Sequence, residues 1–208
     1  MKKNTSTIIA TAAIIAFVVG GFYLMSRGSS SPQGNTAGGD PMHGGATASS
    51  GSLNDLIGKP VPQFSLRDRN GVEYSSDNLK GKNVVLFFNE GIMCYPACWN
   101  QMISLATDPR FNSADTAAFS VVIDNPGDWQ NAIRKMPDLG KATVLFDSDK
   151  SVSRRMGMLT VPSSMHYGSY PGHSFVLVDS QGIVRSVFDD PNMGIDNDRV
   201  ATDLQKLN

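Results

Sequence analysis

The most constraining feature of the sequence is an unbroken apolar segment followed at once by both cysteines of the chain. Asn83–Phe88 reads NVVLFF, a pattern typical of a strand buried on both faces. Cys94 and Cys98 follow it, and the apolar residues of 99–106 recur at helical spacing. Reactive groups of open α/β sheets lie at the carboxyl ends of strands. The pattern therefore predicts that both cysteines lie at the mouth of a central sheet, at the start of a helix.

The rest of residues 53–208 alternates between strand and helix patterns. We predict a hairpin at 64–74, strands at 117–123 and 142–146, helices at 126–136 and 150–156, a hairpin of 174–178 with 183–188, and a last helix at 199–207. This order predicts one α/β domain with a central mixed β-sheet flanked by helices.

The N-terminal segment indicates where the protein works. Residues 8–25 carry no charge, and 18 helical residues span about 27 Å, close to the hydrocarbon thickness of a bilayer. Lys2 and Lys3 precede this run, which favours a cytoplasmic N-terminus. We therefore interpret residues 1–27 as a single-pass anchor in the cell membrane. A cleaved signal segment, and hence a secreted domain, is the alternative.

Residues 28–52 are rich in Gly and Ser and predict a flexible linker. The domain that follows would lie outside the cytoplasm, where disulfides persist. A formal net charge of -1 argues against a nucleic-acid partner. Two cysteines four positions apart exclude a scaffold of several disulfides, and leave a redox pair, metal ligands or a structural crosslink.

Three segments carry a family resemblance: 58–66 (GKPVPQFSL), 79–88 (LKGKNVVLFF) and 175–183 (FVLVDSQGI). They resemble the redoxin (AhpC/TSA, peroxiredoxin-like) branch of the thioredoxin superfamily, over roughly residues 55–205. The resemblance implies a thioredoxin-like fold and a thiol-dependent oxidoreductase.

The candidate catalytic residues are Cys94, Cys98 and His173. A helix N-terminus beside Cys94 would stabilise its thiolate. Cys98, one helical turn further along the chain, would be the resolving cysteine. A static crosslink or two buried thiols are the inert alternatives. By the resemblance, His173 stands near the place of the cis-proline of thioredoxins and of an arginine of peroxiredoxins. There it would face Cys94 as proton carrier, thiolate partner or metal ligand, or it would be a packing histidine.

Three chemistries fit these residues. Thiol–disulfide exchange with protein partners is predicted first, with peroxide reduction as a variant, and neither needs a cofactor. The peroxide variant is weakened because residues 89–93 lack the proline and hydroxyl residue of peroxiredoxins. Copper binding by Cys94, Cys98 and His173, which resemble the ligands of Sco-type copper chaperones, is the alternative.

Residues around the cysteines have further interpretations. Glu90 is either a proton acceptor for Cys98 or a solvated loop residue, Asp189–Asp190 is a solvated turn, and Tyr95 and Trp99 frame the thiols. The soft side chains nearby serve either as a copper path or as core and loop filling. They are Met93, Met156, Met158, Met165 and His166.

Overall fold

A computed structural model describes residues 52–207. The anchor predicted at 1–27 and nearly all of the predicted linker lie outside the described residues. Within 52–207, no helix is long and apolar enough to cross a membrane.

Seven strands form one mixed sheet in the order β2-β1-β5-β4-β3-β6-β7. The central strand β3 is buried at all six positions; it pairs in parallel with β4 and antiparallel with β6. The prediction of a mixed α/β sheet is therefore confirmed. The strands are β1 (Ser65–Arg67), β2 (Glu73–Ser75), β3 (Asn83–Phe88), β4 (Thr116–Val122), β5 (Val144–Phe146), β6 (Ser174–Val178) and β7 (Val184–Asp189).

Within residues 52–207, four α-helices flank the sheet, and they begin and end within two residues of the predicted bounds. The second helix starts where its pattern predicts, because Pro126 occupies its first turn and the Asn125 side chain accepts a hydrogen bond from Gly127 N. The helices are α1 (Ala97–Thr107), α2 (Pro126–Lys135), α3 (Ser151–Arg155) and α4 (Asn197–Gln205). Short 3₁₀ turns lie at Leu53–Leu56, Gly91–Met93, Pro109–Phe111, Pro137–Lys141 and Met158–Thr160.

The sheet separates two hydrophobic cores, because successive side chains of a strand point to opposite faces. Val85 and Phe87 of β3 join one core, together with residues of α1, α2 and α4. Leu86 and Phe88 join the other, together with α3. Both cysteines belong to the first core, so the redox pair is built into the packed side of the sheet that α1 covers.

Candidate active site

The cysteines lie between the end of β3 and the first turn of α1. After β3 the chain makes the 3₁₀ turn Gly91–Met93, and Cys94 closes it by donating its backbone N–H to Gly91 O at 3.2 Å. Helix α1 begins at Ala97, and Cys98 N donates to Cys94 O at 3.0 Å. The two Cα atoms are 5.3 Å apart, and the sulfurs form a disulfide. One helical turn thus brings the pair within bonding distance.

The surroundings of the two cysteines differ. Both are buried, at 3% and 1% exposure, but Met93 and Tyr95 on either side of Cys94 are 50% and 63% exposed. Trp99, next to Cys98, is only 2% exposed; its indole N–H donates to Gly91 O at 3.0 Å, and Tyr95 packs edge-on against it at 4.9 Å. Cys94 therefore lies under the surface, and Cys98 lies deeper.

His173 lies against the pair, but it contacts a different sulfur from the one that we predicted. Its Nδ1 is 3.7 Å from Cys98 Sγ, whereas the sequence interpretation placed the ring opposite Cys94. The ring is 1% exposed and packs edge-on against Phe87 at 4.6 Å. Burial lowers the pKa of His173 to about 4, although the nearby Asp190 carboxylate acts in the opposite direction. The imidazole is therefore neutral at physiological pH.

Glu90 does not have the solvated environment of one of its two predictions. It is 1% exposed, so it is not a solvated loop residue. Its Oε1 accepts hydrogen bonds from His166 N at 3.0 Å and from Ser164 Oγ at 3.4 Å, and its Oε2 lies 3.0 Å from His166 Nδ1. These partners lie on the segment after the 3₁₀ turn Met158–Thr160, so the carboxylate ties that segment to the loop before the cysteines.

Asp124 is a site residue that the sequence reasoning missed. Its Oδ2 accepts a hydrogen bond from Ile92 N at 3.0 Å, which holds the turn before Cys94. Gly91 has a φ of +60°, and a Cβ there would collide with the Asp124 carboxylate. Burial raises the pKa of Asp124 to about 6. The available signal was position, since Asp124 follows β4, the parallel neighbour of β3, and so lies at the same edge of the sheet.

Asp189 and Asp190 do not form a solvated turn. Asp189 ends β7, and its carboxylate accepts hydrogen bonds from Ser163 N at 2.9 Å, Ser163 Oγ and Ser174 Oγ. Ser163 Oγ in turn accepts the backbone N–H of His173 at 2.6 Å, and Asp190 N donates to His173 O at 2.9 Å. These two aspartates therefore fix the backbone that presents His173.

Asp190 and Asp196 also bring carboxylates to the His173 ring. One ligand atom from each of the three residues lies within 4.8 Å of the others. Asp190 folds the connecting loop by accepting the N–H groups of Asn192 and Gly194 at 3.0 and 2.7 Å. Neither carboxylate was among the predicted site residues, because they follow the last strand and the local sequence does not show that it returns to the cysteines.

The soft side chains do not converge on the cysteines. Met156 and Met158 are buried in the core on the opposite side of the sheet from the disulfide. Met93 and Met165 are 50% and 59% exposed, and His166 is held by Glu90. For Met156 and Met158, the core-filling interpretation is the correct one.

Comparison with known proteins identifies the family of the chain. The AhpC/TSA family model matches residues 57–187, more than half of the 208 residues. Peroxiredoxin Q, chloroplastic, of Gentiana triflora is 27% identical over 134 residues, 63% of this chain and 58% of that protein. The chain thus spans less than two thirds of the length of this relative.

Two crystal structures have the same fold. Enterococcus faecalis AhpC matches with a TM-score of 0.62 at 17% identity, over 73% of this chain and 91% of that one. Peroxidoxin BcpB from Mycobacterium tuberculosis matches with a TM-score of 0.59 at 19% identity, over 74% and 98%. The thioredoxin-like fold that the sequence predicts is therefore confirmed. Since the family model matches more than half of the chain, the chain belongs to the AhpC/TSA family.

Proposed function

We propose that this protein is a thiol-dependent oxidoreductase whose working group is the Cys94–Cys98 pair. The observation that carries the proposal is that both sulfurs close a disulfide within one turn, at the end of the central strand and the start of α1. A pair that can bond without moving the backbone can cycle between dithiol and disulfide. Membership of the AhpC/TSA family supports the same chemistry.

Cys94 is the sulfur that meets the substrate. Its neighbours Met93 and Tyr95 are the exposed apolar side chains at the site, at 50% and 63%, and they offer a surface to a partner protein. Cys98 is deeper and contacts His173. In exchange, the Cys94 thiolate attacks a substrate disulfide and releases one substrate thiolate, which takes up a proton. Cys98 then attacks Cys94 Sγ, and the second substrate sulfur leaves as a thiol.

Peroxide reduction would use the same pair. The Cys94 thiolate attacks one peroxide oxygen and becomes a sulfenic acid, while the other oxygen leaves and is protonated to an alcohol or water. Cys98 condenses with the sulfenic acid, releasing water and forming the disulfide, which an external thiol reductant must then reduce. The peroxiredoxin relatives favour this reaction. Against it, the only side-chain hydrogen-bond contact of either sulfur within residues 52–207 is with His173, which leaves few donors to polarise a peroxide.

The deciding experiment uses the reduced full-length protein and its Cys94→Ser and Cys98→Ser variants. We expect Cys98→Ser to accumulate a mixed disulfide with a disulfide substrate through Cys94, detected by mass spectrometry, and Cys94→Ser to trap none. Stopped-flow oxidation by hydrogen peroxide, followed by the fluorescence of the adjacent Trp99, gives the rate of the peroxide reaction. Trapping through Cys98 in the Cys94→Ser variant would refute the assignment of Cys94. No trapping in either variant, together with no oxidation of Cys94 by hydrogen peroxide, would refute the function.

Copper binding by Cys94, Cys98 and His173 remains a prediction and gains no support from the relatives above. Titration of the reduced protein with Cu(I) against a chelator tests it directly. Stoichiometric binding that is lost in His173→Ala would favour a copper chaperone over an oxidoreductase.

We further propose that the domain works outside the cytoplasm, tethered by residues 1–27. This rests on the uncharged segment 8–25 behind Lys2 and Lys3. External protease added to intact cells should degrade the domain. A domain that stays intact would show that it is cytoplasmic. Release of the mature domain into the soluble extracytoplasmic fraction would instead show that the segment is cleaved.

A further inference from the structure

We propose that His173, Asp190 and Asp196 form a binding site for one divalent transition-metal ion, of the type of Zn²⁺, directly behind the disulfide. The three residues offer one nitrogen and two carboxylate oxygens, all within 4.8 Å of one another. Imidazole and carboxylate are ordinary ligands of Zn²⁺, which is often held by three protein groups and a water.

Unpartnered polar atoms point to a ligand at this place. His173 is 1% exposed, and its Nε2 makes no hydrogen bond of good geometry within the described residues, although the backbone of Gly194 lies near the ring. Since Nδ1 already contacts Cys98 Sγ, Nε2 is the ring nitrogen available to an ion. Asp196 Oδ2 is likewise buried without a partner. Buried polar atoms without partners are rare and costly, and an ion bound between these two would satisfy both.

The charges favour a cation. Neither Asp190 nor Asp196 takes part in a salt bridge in the part of the chain that the structure describes. The nearest cationic group acting on Asp196 is Arg199, whose guanidinium is stacked on the Phe188 ring at 3.6 Å. Two carboxyl groups beside a neutral imidazole can supply two negative charges, which a divalent ion would neutralise.

The geometry needs only small side-chain movements. The three ligand atoms lie within 4.8 Å of one another, so a central point lies at most about 2.8 Å from each, whereas Zn–N and Zn–O bonds are about 2.1 Å. Each ligand atom would therefore move by at most about 0.7 Å. Asp190 and Asp196 are half-buried, and Pro191, Asn192 and Gly194 between them are exposed, so an ion can enter from solvent through this loop.

The site is complete while the cysteines are joined, so the proposal does not rest on the proposed function. It also places the ion one imidazole ring away from Cys98 Sγ, because Nδ1 of the same ring contacts that sulfur. Any difference in ion affinity between the disulfide and dithiol forms would then shift the redox equilibrium by linkage.

The test titrates Zn²⁺ calorimetrically into the oxidised full-length protein in detergent, in a His43→Ala background that removes the histidine of the linker. Oxidation prevents the cysteines from acting as ligands. We expect one site per chain, and at least tenfold weaker binding in Asp196→Asn. Asp198→Asn is the matched control, because Asp198 lies two residues further on, in the first turn of α4, but is exposed and paired with Arg110. This variant should bind Zn²⁺ with an affinity within twofold of that of the parent protein.

Asp196→Asn is the deciding variant because Asp196 Oδ2 has no hydrogen-bond partner among the described residues, whereas Asp190 accepts two backbone N–H groups of the loop. His173→Gln is the second variant, and a melting curve without metal checks that each is folded. Co²⁺ bound at the site should show absorption of nitrogen and oxygen ligands without a sulfur-to-metal band. Absence of saturable binding, or equal binding by Asp196→Asn and the parent protein, would overturn the proposal.

Discussion

Two sides of the disulfide use buried polar groups in opposite ways. On one side, Glu90 is 1% exposed, and its carboxylate has three contacts on the segment that carries His166. On the other side, His173 Nε2 and Asp196 Oδ2 are buried without a partner among the described residues. A buried polar group that is fully hydrogen-bonded holds structure, whereas an unsatisfied one costs free energy unless a ligand completes it.

Substitutions on the Glu90 side should damage the fold, whereas substitutions at Asp196 should change only ion binding. The Glu90 side includes Asp124, which holds Ile92 N in the turn before Cys94. Changes there should loosen the loop that positions Cys94. Changes at Asp196 should leave the fold intact.

The largest effect is expected from Gly91→Ala. The φ of +60° disfavours any residue with a Cβ, and the new methyl group would collide with the Asp124 carboxylate. We expect a loss of about 3–5 kcal/mol in the free energy of unfolding, measured by urea denaturation. Gly71→Ala is the control, since it has a similar φ of +80° but nothing within 4 Å of the added Cβ. Equal losses in both variants would mean that the contact with Asp124 has no effect.

The next largest effect is expected from Glu90→Ala. It removes the acceptor of His166 N and Ser164 Oγ from a buried place, so we expect a loss of about 2–4 kcal/mol. Glu90→Gln keeps one acceptor oxygen and should lose less than half of that. Glu73→Ala, which breaks the exposed pair with Arg67, should change stability by at most about 0.5 kcal/mol. If Glu90→Ala is as mild as Glu73→Ala, the Glu90 side does not hold the loop.

The pH dependence of stability tests the role of Asp124, which also belongs to the Glu90 side. Its pKa is raised to about 6 in the folded protein from 3.8, so between these values the folded state binds more protons than the unfolded state. Its contribution to stability is therefore full below about pH 4 and falls as pH rises through 6. The fall is about 1–3 kcal/mol, allowing for partial solvent exposure.

Asp124→Asn should remove this fall while keeping an acceptor for Ile92 N. The difference in unfolding free energy between the variant and the parent protein should therefore increase in favour of the variant from pH 4 to pH 7. Urea denaturation at four pH values measures it. A difference that is constant with pH would contradict the raised pKa.

The smallest effect on stability is expected from Asp196→Asn without metal. Its Oδ2 has no hydrogen bond to lose, and burial together with the charge of Asp190 raises the pKa of this carboxyl. We expect a change within about 1 kcal/mol, in the stabilising direction, because the variant buries a neutral amide in place of a carboxyl. A loss of unfolding free energy comparable to that of Glu90→Ala would contradict the proposed difference between the two sides.

The sheet and helices could be predicted from the sequence because they depend on local patterns. The apolar run of β3 and the alternation in the hairpin of β6 and β7 gave their strands within one residue. The turn Asp179–Gly182 also formed as predicted, with Gly182 N donating to Asp179 O at 2.9 Å. The approximate position of Cys94 and Cys98 followed from the same patterns, since a strand leading into a helix places the loop between them at the sheet edge.

The partners of the polar groups could not be predicted in the same way. Glu90 meets His166 across 76 positions of sequence, and His173 meets Cys98 across 75. Which sulfur the imidazole contacts depends on how far each cysteine reaches below the surface. No local pattern encodes that depth.

By itself, the sequence determined the order of strands and helices and brought the two cysteines close together at the start of a helix, because periodicity and a four-residue spacing act over short distances along the chain. Only the tertiary structure decided that Glu90 holds a loop, that His173 faces Cys98 and that Asp190 and Asp196 return to the same ring. These arrangements depend on contacts between distant segments, which are fixed when the sheet and the loops around it pack together.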